Sequence, residues 1–189
     1  MRDDLLSALR QGRRGCQAPF LLLDRIVRTY TRIAAEIVAV LLGILTLNVV
    51  GQVFSRYVLN SPFTWADENA RFLLIWITFL GAVVPLERGK HFLMEVLVNA
   101  LPSPLRRATL VLGNLVVLWI LLILIRDGAA LTHMNMGQAS PAMDIPFGLV
   151  YASIPIGALL MLGVVARDLG LILCNPEYAN GYLRQEGEA

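Results

Sequence analysis

The apolar residues of this chain fall into four long blocks, and this distribution constrains the fold more than any other feature of the sequence. Each block is about 20 residues long, the length at which an α-helix crosses roughly 30 Å of hydrocarbon. With 57% apolar and 16% charged residues, the chain also lacks the polar surface that a water-soluble domain needs. We therefore expect an all-α integral membrane protein with four transmembrane helices. The predicted helices are residues 33–58, 66–84, 108–125 and 147–166, the last extending as far as residue 174.

These blocks divide the chain into three parts. Residues 1–32 form a basic, amphipathic cytoplasmic segment, residues 33–174 the four-helix transmembrane domain, and residues 175–189 a cytoplasmic tail. The sequence contains no internal repeat and no low-complexity linker, so we expect a single membrane domain.

Two segments outside the blocks have the apolar spacing of a helix lying on a membrane surface. Residues 20–32 mix leucines with arginines, which predicts a short amphipathic helix on the inner leaflet with its arginines on anionic headgroups. A loosely ordered tail before Leu21 is the alternative interpretation. Residues 87–102 are too charged to span, and their apolar positions predict an interfacial amphipathic helix between helices two and three.

The distribution of lysine and arginine predicts the orientation, because short flanks rich in these residues stay in the cytoplasm. The opposite side carries only Arg56, Arg71 and Arg126, each close to a predicted helix end. Both termini should then be cytoplasmic, and the net charge of +2 gives no indication of nucleic-acid binding. The residues expected inside are Arg2, Arg10, Arg13, Arg14, Arg25, Arg28 and Arg32 before helix one, and Arg88, Lys90, Arg106 and Arg107 after helix two.

Three polar side chains recur along one face of the first predicted helix. Asn48, Gln52 and Arg56 are spaced four residues apart, so they share a face. Unpaired polar groups are costly in hydrocarbon, and we expect this face to contact protein. It could provide hydrogen bonds within the helix bundle, or it could line a transport pathway or contact a partner subunit.

The start of the second predicted helix combines helix-initiating and acidic residues. Ser61 suits the N-cap and Pro62 the first helical position. Asp67 and Glu68 are favoured at the positive end of the helix dipole. Trp65, between these groups, is interpreted as an anchor at the membrane interface.

An acid/base cluster is predicted where the first two helices meet. Arg71 follows Asp67 by four residues and Glu68 by three, so both carboxylates can reach it. Arg56 approaches from the end of helix one, and the four formal charges cancel. The cluster is interpreted as a structural clamp between the two helices, with a proton or cation relay as the alternative.

Small residues recur along the fourth predicted helix. Gly148 and Ala152, and likewise Ser153 and Gly157, are four residues apart, which indicates close helix packing. Pro155 in the same region predicts a kink.

The sequence offers little support for an enzyme or a metalloprotein. His91 and His133 fall on opposite sides of the membrane in this topology, so they cannot share one metal ion. The two cysteines are not paired in a CxxC motif, and no phosphate-binding loop, nucleophile elbow or zinc motif occurs. We therefore expect no catalytic residues, no metal and no cofactor.

Several short motifs occur in a fixed order between residues 33 and 166. They are Arg56-Tyr57, Trp65, Glu68, Arg71, Phe79-Leu80-Gly81-Ala82, His91, Ser140-Pro141-Ala142-Met143, Tyr151, Ile154 and Pro155. In this order and spacing, the motifs resemble the small permease subunit of tripartite ATP-independent periplasmic (TRAP) transporters. Asp67-Glu68 is a conservative variant of that family's acidic pair after the tryptophan.

This resemblance implies a bacterial inner-membrane protein with two partners, a large permease subunit and a periplasmic substrate-binding protein. The large subunit would carry the sodium and solute sites, and this chain would be a scaffold embedded in lipid beside it. Transport would be sodium-driven uptake of organic anions such as carboxylates or sugar acids. The alternatives are a self-sufficient, proton-coupled exporter that uses Glu36 or the Asp67/Glu68 pair, and a membrane oxidoreductase, which would carry a chromophore.

Overall fold

A computed structural model of the protein describes residues 18–61, 63–87 and 103–174. It confirms the all-α fold and contains four helical spans that are long and apolar enough to cross a membrane. The predicted interfacial helix lies outside the described residues except for its first residue, Glu87. The helices are α1 (Ala18–Tyr57), α2 (Thr64–Gly81), α3 (Val83–Glu87), α4 (Ser103–Met134), α5 (Phe147–Tyr151) and α6 (Ser153–Cys174).

The first helix begins well before the predicted transmembrane segment. It is continuous over 40 residues, so no helix boundary separates residues 18–32 from the apolar block that follows. Val27 is fully buried in the core, and the Tyr30 hydroxyl donates a hydrogen bond to the Leu160 carbonyl of α6 at 2.8 Å. The prediction of a separate short helix on the leaflet is therefore wrong for the described residues, because they continue into the first span as one helix and both Val27 and Tyr30 contact protein.

The second and fourth spans are each interrupted three residues before a proline. Ala82 separates α2 from α3 ahead of Pro85, and Ala152 separates α5 from α6 ahead of Pro155. Proline has no N–H to donate to the carbonyl four residues earlier, which interrupts the helical hydrogen-bond pattern. The kink predicted at Pro155 coincides with this interruption of the fourth span, and the equivalent interruption ahead of Pro85 is an additional finding.

Helix α6 is the centre of the arrangement, because it contacts each of the other five described helices. Helices α1 and α2 pack on each other and on α6. Within the described residues, α4 contacts only α5 and α6, so the third span is attached to the rest through the fourth span alone. The buried core comprises Val27, Val83, Leu121, Ala158, Met161, Val164 and Val165.

Glycines permit the close packing around the fourth span. A Cβ atom at Gly157 would lie 2.8 Å from the carbonyl oxygen of Phe79 in α2. A Cβ atom at Gly148 would lie 2.6 Å from the carbonyl oxygen of Thr132 in α4. The prediction of close packing through small residues is confirmed, and it involves two different neighbouring helices.

Candidate functional site

Among the described residues, the polar side chains that bond between helices form two clusters at opposite ends of the spans. The Glu68 end is where α1 finishes and α2 begins, and the Arg167 end is where α1 begins and α6 approaches its finish. Phe147 contacts Phe72 of α2, and Arg167 follows Phe147 by 20 residues along the fourth span. In the opposite direction, Glu68 precedes Phe72 by four residues, about one helical turn. At 1.5 Å per residue the two ends are about 36 Å apart.

A tight turn connects α1 to α2 at the Glu68 end. Asn60 adopts a left-handed backbone conformation with φ of 49°, and the Ser55 hydroxyl donates a hydrogen bond to the Ser61 carbonyl. Phe63, in an extended conformation, is the N-cap of α2 and makes no side-chain capping bond. The prediction of Ser61 as the N-cap is therefore wrong, because α2 starts at Thr64 and the Ser61 carbonyl belongs to the turn.

Two side chains of α1 hydrogen-bond across to α2. The Asn48 amide donates to the Ala66 carbonyl at 3.1 Å, and the Gln52 amide donates to a carboxylate oxygen of Asp67. Ala66 is only 1% exposed, so its carbonyl has little access to water and the Asn48 amide supplies a hydrogen-bond donor within the protein. Both contacts agree with the interpretation that this face of α1 provides hydrogen bonds within the helix bundle.

Glu68 anchors the connection between α4 and α5. Its Oε2 atom accepts a hydrogen bond from the Ser140 hydroxyl at 2.6 Å and one from the Ala142 amide at 3.2 Å. The Ser140 hydroxyl also accepts from the Met143 amide at 3.3 Å, and Ser140 is 3% exposed. One carboxylate therefore holds the loop against the start of the second span.

The loop that Glu68 holds has a defined backbone structure. Residues Ala139 and Pro146 form an antiparallel bridge, and the Ser140 amide donates to the Ile145 carbonyl at 2.9 Å. Asp144 takes a left-handed conformation with φ of 55°, which closes the turn. The contact joins two motifs that are 72 residues apart in the chain, the acidic pair and the Ser-Pro-Ala-Met sequence.

The predicted mutual pairing of Arg56, Asp67, Glu68 and Arg71 is wrong. Arg56, Asp67 and Arg71 are exposed on the surface of the chain. In the described part of the protein, neither arginine makes an ion pair, since the carboxylates bond to Gln52 and to the loop instead. Helical spacing permits a pair three or four residues apart, but a buried hydroxyl and a backbone amide compete for the same acceptor. Trp65 is 45% exposed and stacks on Phe63 with ring centroids 5.8 Å apart.

Replacing Glu68 with alanine is expected to release the loop of residues 138–146 from α2. The Ser140 hydroxyl and the Ala142 amide would lose their acceptor, at a cost of roughly 1–3 kcal/mol. Hydrogen exchange of the Ala142 amide should become faster, and the unfolding temperature in detergent should fall. Glu68→Gln is the control, because it keeps one carbonyl acceptor and should lose less. Equal exchange at Ala142 in the alanine variant and the native chain would contradict this assignment.

The second cluster surrounds a buried arginine that the sequence analysis did not select. Arg167 is 5% exposed, and its guanidinium lies 2.8 Å from Asp168, 3.3 Å from Asp24 and 3.5 Å from Glu87. Asp24 also pairs with Arg28 at 2.8 Å. These residues belong to α1, α3 and α6, so the Arg167 end ties three helices together.

A signal for this cluster existed in the sequence. Arg167 and Asp168 directly follow the predicted fourth helix and interrupt an otherwise apolar stretch that reaches residue 174. Asp24 and Glu87 lie at the corresponding ends of the first two apolar blocks. Ionisable residues in or next to membrane spans need partners, but spacing along the chain does not show which ones meet.

The two clusters hold helices together and do not form an ion-binding cage. Within residues 18–61, 63–87 and 103–174, no three histidine, cysteine, aspartate or glutamate side chains are grouped so that they could hold a metal ion. The acceptors at the Glu68 end are bonded to amide and hydroxyl donors, and those at the Arg167 end surround a guanidinium.

Comparison with known proteins gives a consistent result. The profile of the family described as "Tripartite ATP-independent periplasmic transporters, DctQ component" matches residues 45–175. A putative TRAP transporter small permease protein of Haemophilus influenzae is 32% identical over 142 residues, which is 74% of this chain and 88% of that protein. The ectoine TRAP transporter small permease protein TeaB of Halomonas elongata is 29% identical, over 66% of this chain and 67% of TeaB. The sialic acid TRAP transporter permease protein SiaT of Haemophilus influenzae is 27% identical over 60% of this chain, but the match covers only 18% of SiaT.

Proposed function

Because this chain belongs to the DctQ component family of the TRAP transporters, whose members are small permease proteins, we propose that it is the scaffold of a transporter. In this proposal it supports a large permease subunit, which binds sodium and the solute. A periplasmic binding protein delivers an organic anion, such as a carboxylate or a sugar acid. The chain lies in a bacterial inner membrane with both termini in the cytoplasm, the side predicted by its arginine-rich flanks.

The proposal rests on the hydrogen bonds and ion pairs that the carboxylates at the span ends make within the chain. Asp67 accepts from Gln52, Glu68 accepts from the loop, and Asp24, Glu87 and Asp168 surround Arg167. Such contacts stabilise the relative positions of three spans. A proton-coupled exporter needs an acid that faces a mid-depth cavity, whereas the Asp67/Glu68 pair is bonded at one end and Glu36 lies on the exposed surface of α1. These carboxylate contacts favour a rigid scaffold, and none of them favours the exporter.

The exposed surface of the spans supports a partner in the membrane. Only 6% of the most apolar window of the first span is buried within the chain, and the same holds for the third span. Each of these two spans packs on its neighbours along one side and exposes many large apolar side chains on the other, to lipid or to another protein. A large permease subunit packed on part of this surface is consistent with that exposure.

The names of the relatives support placing solute selection outside this chain. TeaB is named for ectoine and SiaT for sialic acid, yet TeaB matches 66% of this chain and SiaT matches 60% of it. Similar small permease sequences thus occur with different solutes. In the proposal, the binding protein and the large subunit distinguish one solute from another.

The proposal is tested by reconstitution in liposomes with a large TRAP permease subunit and a periplasmic binding protein from the same organism. All three components with an inward sodium gradient are expected to accumulate solute. Omitting this chain should abolish uptake, and this chain alone should transport nothing. Proton-driven flux of solute by this chain alone would establish the exporter instead.

A further inference from the structure

The long first helix carries three arginines just before its apolar part. Residues 37–55 of α1 contain no charged side chain, and at 1.5 Å per residue this run extends about 28 Å, close to the thickness of the hydrocarbon core. In a bilayer matched to the run, the backbone of Arg32 lies roughly 7 Å outside the hydrocarbon. The headgroup layer is about 5–8 Å deep on each side, so Arg32 lies within or next to it.

Arg25, Arg28 and Arg32 lie on one side of α1. They are spaced three and four residues apart, which places them in a row along the helix. All three are exposed, whereas Val27 and Ala34 on the opposite side are buried in the chain. We call these three residues the arginine stripe. Arg28 and Arg25 follow Arg32 at one and two turns, and long arginine side chains can extend back toward the headgroups.

The middle arginine of the stripe keeps most of its hydrogen-bond donors exposed. Arg28 pairs with Asp24 at 2.8 Å through its Nε atom alone, and its side chain is 64% exposed. The other carboxylate oxygen of Asp24 lies 3.3 Å from Arg167. One carboxylate is therefore shared by two guanidinium groups, and the outer N–H groups of Arg28 remain accessible to an anion.

The two outer arginines of the stripe have no acidic partner among the described residues. Neither Arg25 nor Arg32 makes an ion pair in residues 18–61, 63–87 and 103–174. Glu36 is exposed one turn beyond Arg32 on the same side, and no ion pair joins the two in that part of the chain. Even with Glu36 counted, the exposed side of this segment is positively charged.

We propose that the arginine stripe binds the phosphate groups of anionic phospholipids in the leaflet at the Arg167 end of the protein. Guanidinium groups form paired, charge-assisted hydrogen bonds to phosphate oxygens. Arginines just outside a membrane span are also attracted by anionic headgroups. Headgroup contacts were predicted for a short helix lying flat on the leaflet, whereas this stripe belongs to a helix that continues into the first span. The inference does not depend on the proposed function.

Two other occupants fit the stripe less well. Free phosphate lacks the acyl chain that would contact Ile33, which follows Arg32 in the chain and is 54% exposed beside the apolar run. An acidic surface of a partner protein would have to displace the phosphates that are already present in the headgroup layer. An anionic phospholipid supplies both the phosphate and the acyl chain at the required level.

The test is photo-cross-linking of the full chain in nanodiscs that contain equal amounts of phosphatidylglycerol and phosphatidylcholine. A photoreactive amino acid replaces Thr29, which is exposed within the stripe. It is expected to cross-link phosphatidylglycerol at least fivefold more than phosphatidylcholine, and this preference should fall at high salt. The same amino acid at Leu47, which is 73% exposed in the apolar run, should cross-link the two lipids within twofold of each other.

Substitutions identify the side chains responsible for the preference at position 29. Arg25→Gln/Arg32→Gln is expected to lower it at least threefold, and Arg25→Lys/Arg32→Lys should keep most of it because the charge remains. The matched control is Arg56→Gln/Arg71→Gln, which removes two exposed arginines near the Glu68 end and should leave the preference unchanged. The glutamine variant of the stripe should unfold at the native temperature, since neither arginine makes an ion pair with a described residue.

Several outcomes would overturn the inference. An equal yield of the two lipids at position 29 of the native chain would show that no anionic lipid is selected. An unchanged preference in Arg25→Gln/Arg32→Gln would assign the selection to other residues. Loss of the preference on adding excess inorganic phosphate would identify a site for free phosphate. Cross-links from position 29 to another protein in place of lipid, in the assembled transporter, would identify a protein interface.

Discussion

An Arg167→Leu chain is expected to lose about 3–5 kcal/mol of folding stability, the typical cost of removing one partner from a buried ion pair. The substitution leaves Asp24, Glu87 and Asp168 close together without the guanidinium that lies 2.8 to 3.5 Å from each of them. Their side chains are at most 28% exposed, so water compensates little. The expected result is a lower unfolding temperature in detergent and a large loss of monodisperse protein.

The matched control for this prediction is another arginine of the same cluster. Arg28 pairs with Asp24 at 2.8 Å, but its side chain is 64% exposed. An exposed pair of this kind contributes about 0.3–0.5 kcal/mol, so Arg28→Leu should change the unfolding temperature little. Arg167→Lys should lower the unfolding temperature by an intermediate amount. A lysine keeps the positive charge but lacks the broad, forked guanidinium that reaches several carboxylates at once. Equal stability of Arg167→Leu and Arg28→Leu would show that the cluster does not hold the helices together.

Adding a single methyl group at Gly157 is expected to separate the second and fourth spans. Its Cβ atom would lie 2.8 Å from the carbonyl oxygen, 2.9 Å from the Cβ atom and 3.0 Å from the carbonyl carbon of Phe79. Two of these are backbone atoms of α2, which cannot move aside as a flexible side chain could. We expect Gly157→Ala to cost about 1–3 kcal/mol through overpacking, and Gly157→Val to cost more.

Gly43 provides the matched control for this substitution. It lies in the apolar part of α1, and a Cβ atom there would meet nothing within 4 Å. Alanine is favoured over glycine inside a helix by roughly 0.5–1 kcal/mol, so Gly43→Ala should leave stability unchanged or raise it. Thermal unfolding of both variants in the same detergent gives the comparison. A stable Gly157→Ala chain would mean that α2 and α6 are not in close contact at Phe79.

The Arg167 and Gly157 predictions concern different contacts among the first, second and fourth spans. The Arg167 cluster holds α1, α3 and α6 at one end, and Gly157 sets the distance between α2 and α6 further along. At the other end, Glu68 secures the loop that leads into the fourth span. The first, second and fourth spans are thus connected at several depths. The third span is attached through α5 and α6 alone, among the described helices.

The amino-acid sequence by itself determined the fold class and the number of spans. Apolar blocks of membrane-spanning length leave no other stable arrangement in a bilayer, because each backbone N–H and C=O must be bonded within its own helix. It also determined that Gly148 and Gly157 mark close contacts, since small residues are what lets helix backbones approach each other. The polar face of Asn48 and Gln52 was predicted to contact protein for a similarly local reason, the cost of polar groups in hydrocarbon.

Only the tertiary structure decided which charges meet. Glu68 could reach Arg71 along its own helix, yet it bonds to Ser140, which is brought close only when the loop folds back onto α2. Arg167 finds Asp24 across 143 residues of sequence, a distance over which spacing carries no information. The physical reason is common to both cases: a side chain in a membrane protein bonds to what the packing of other helices places beside it, and that packing depends on the whole chain.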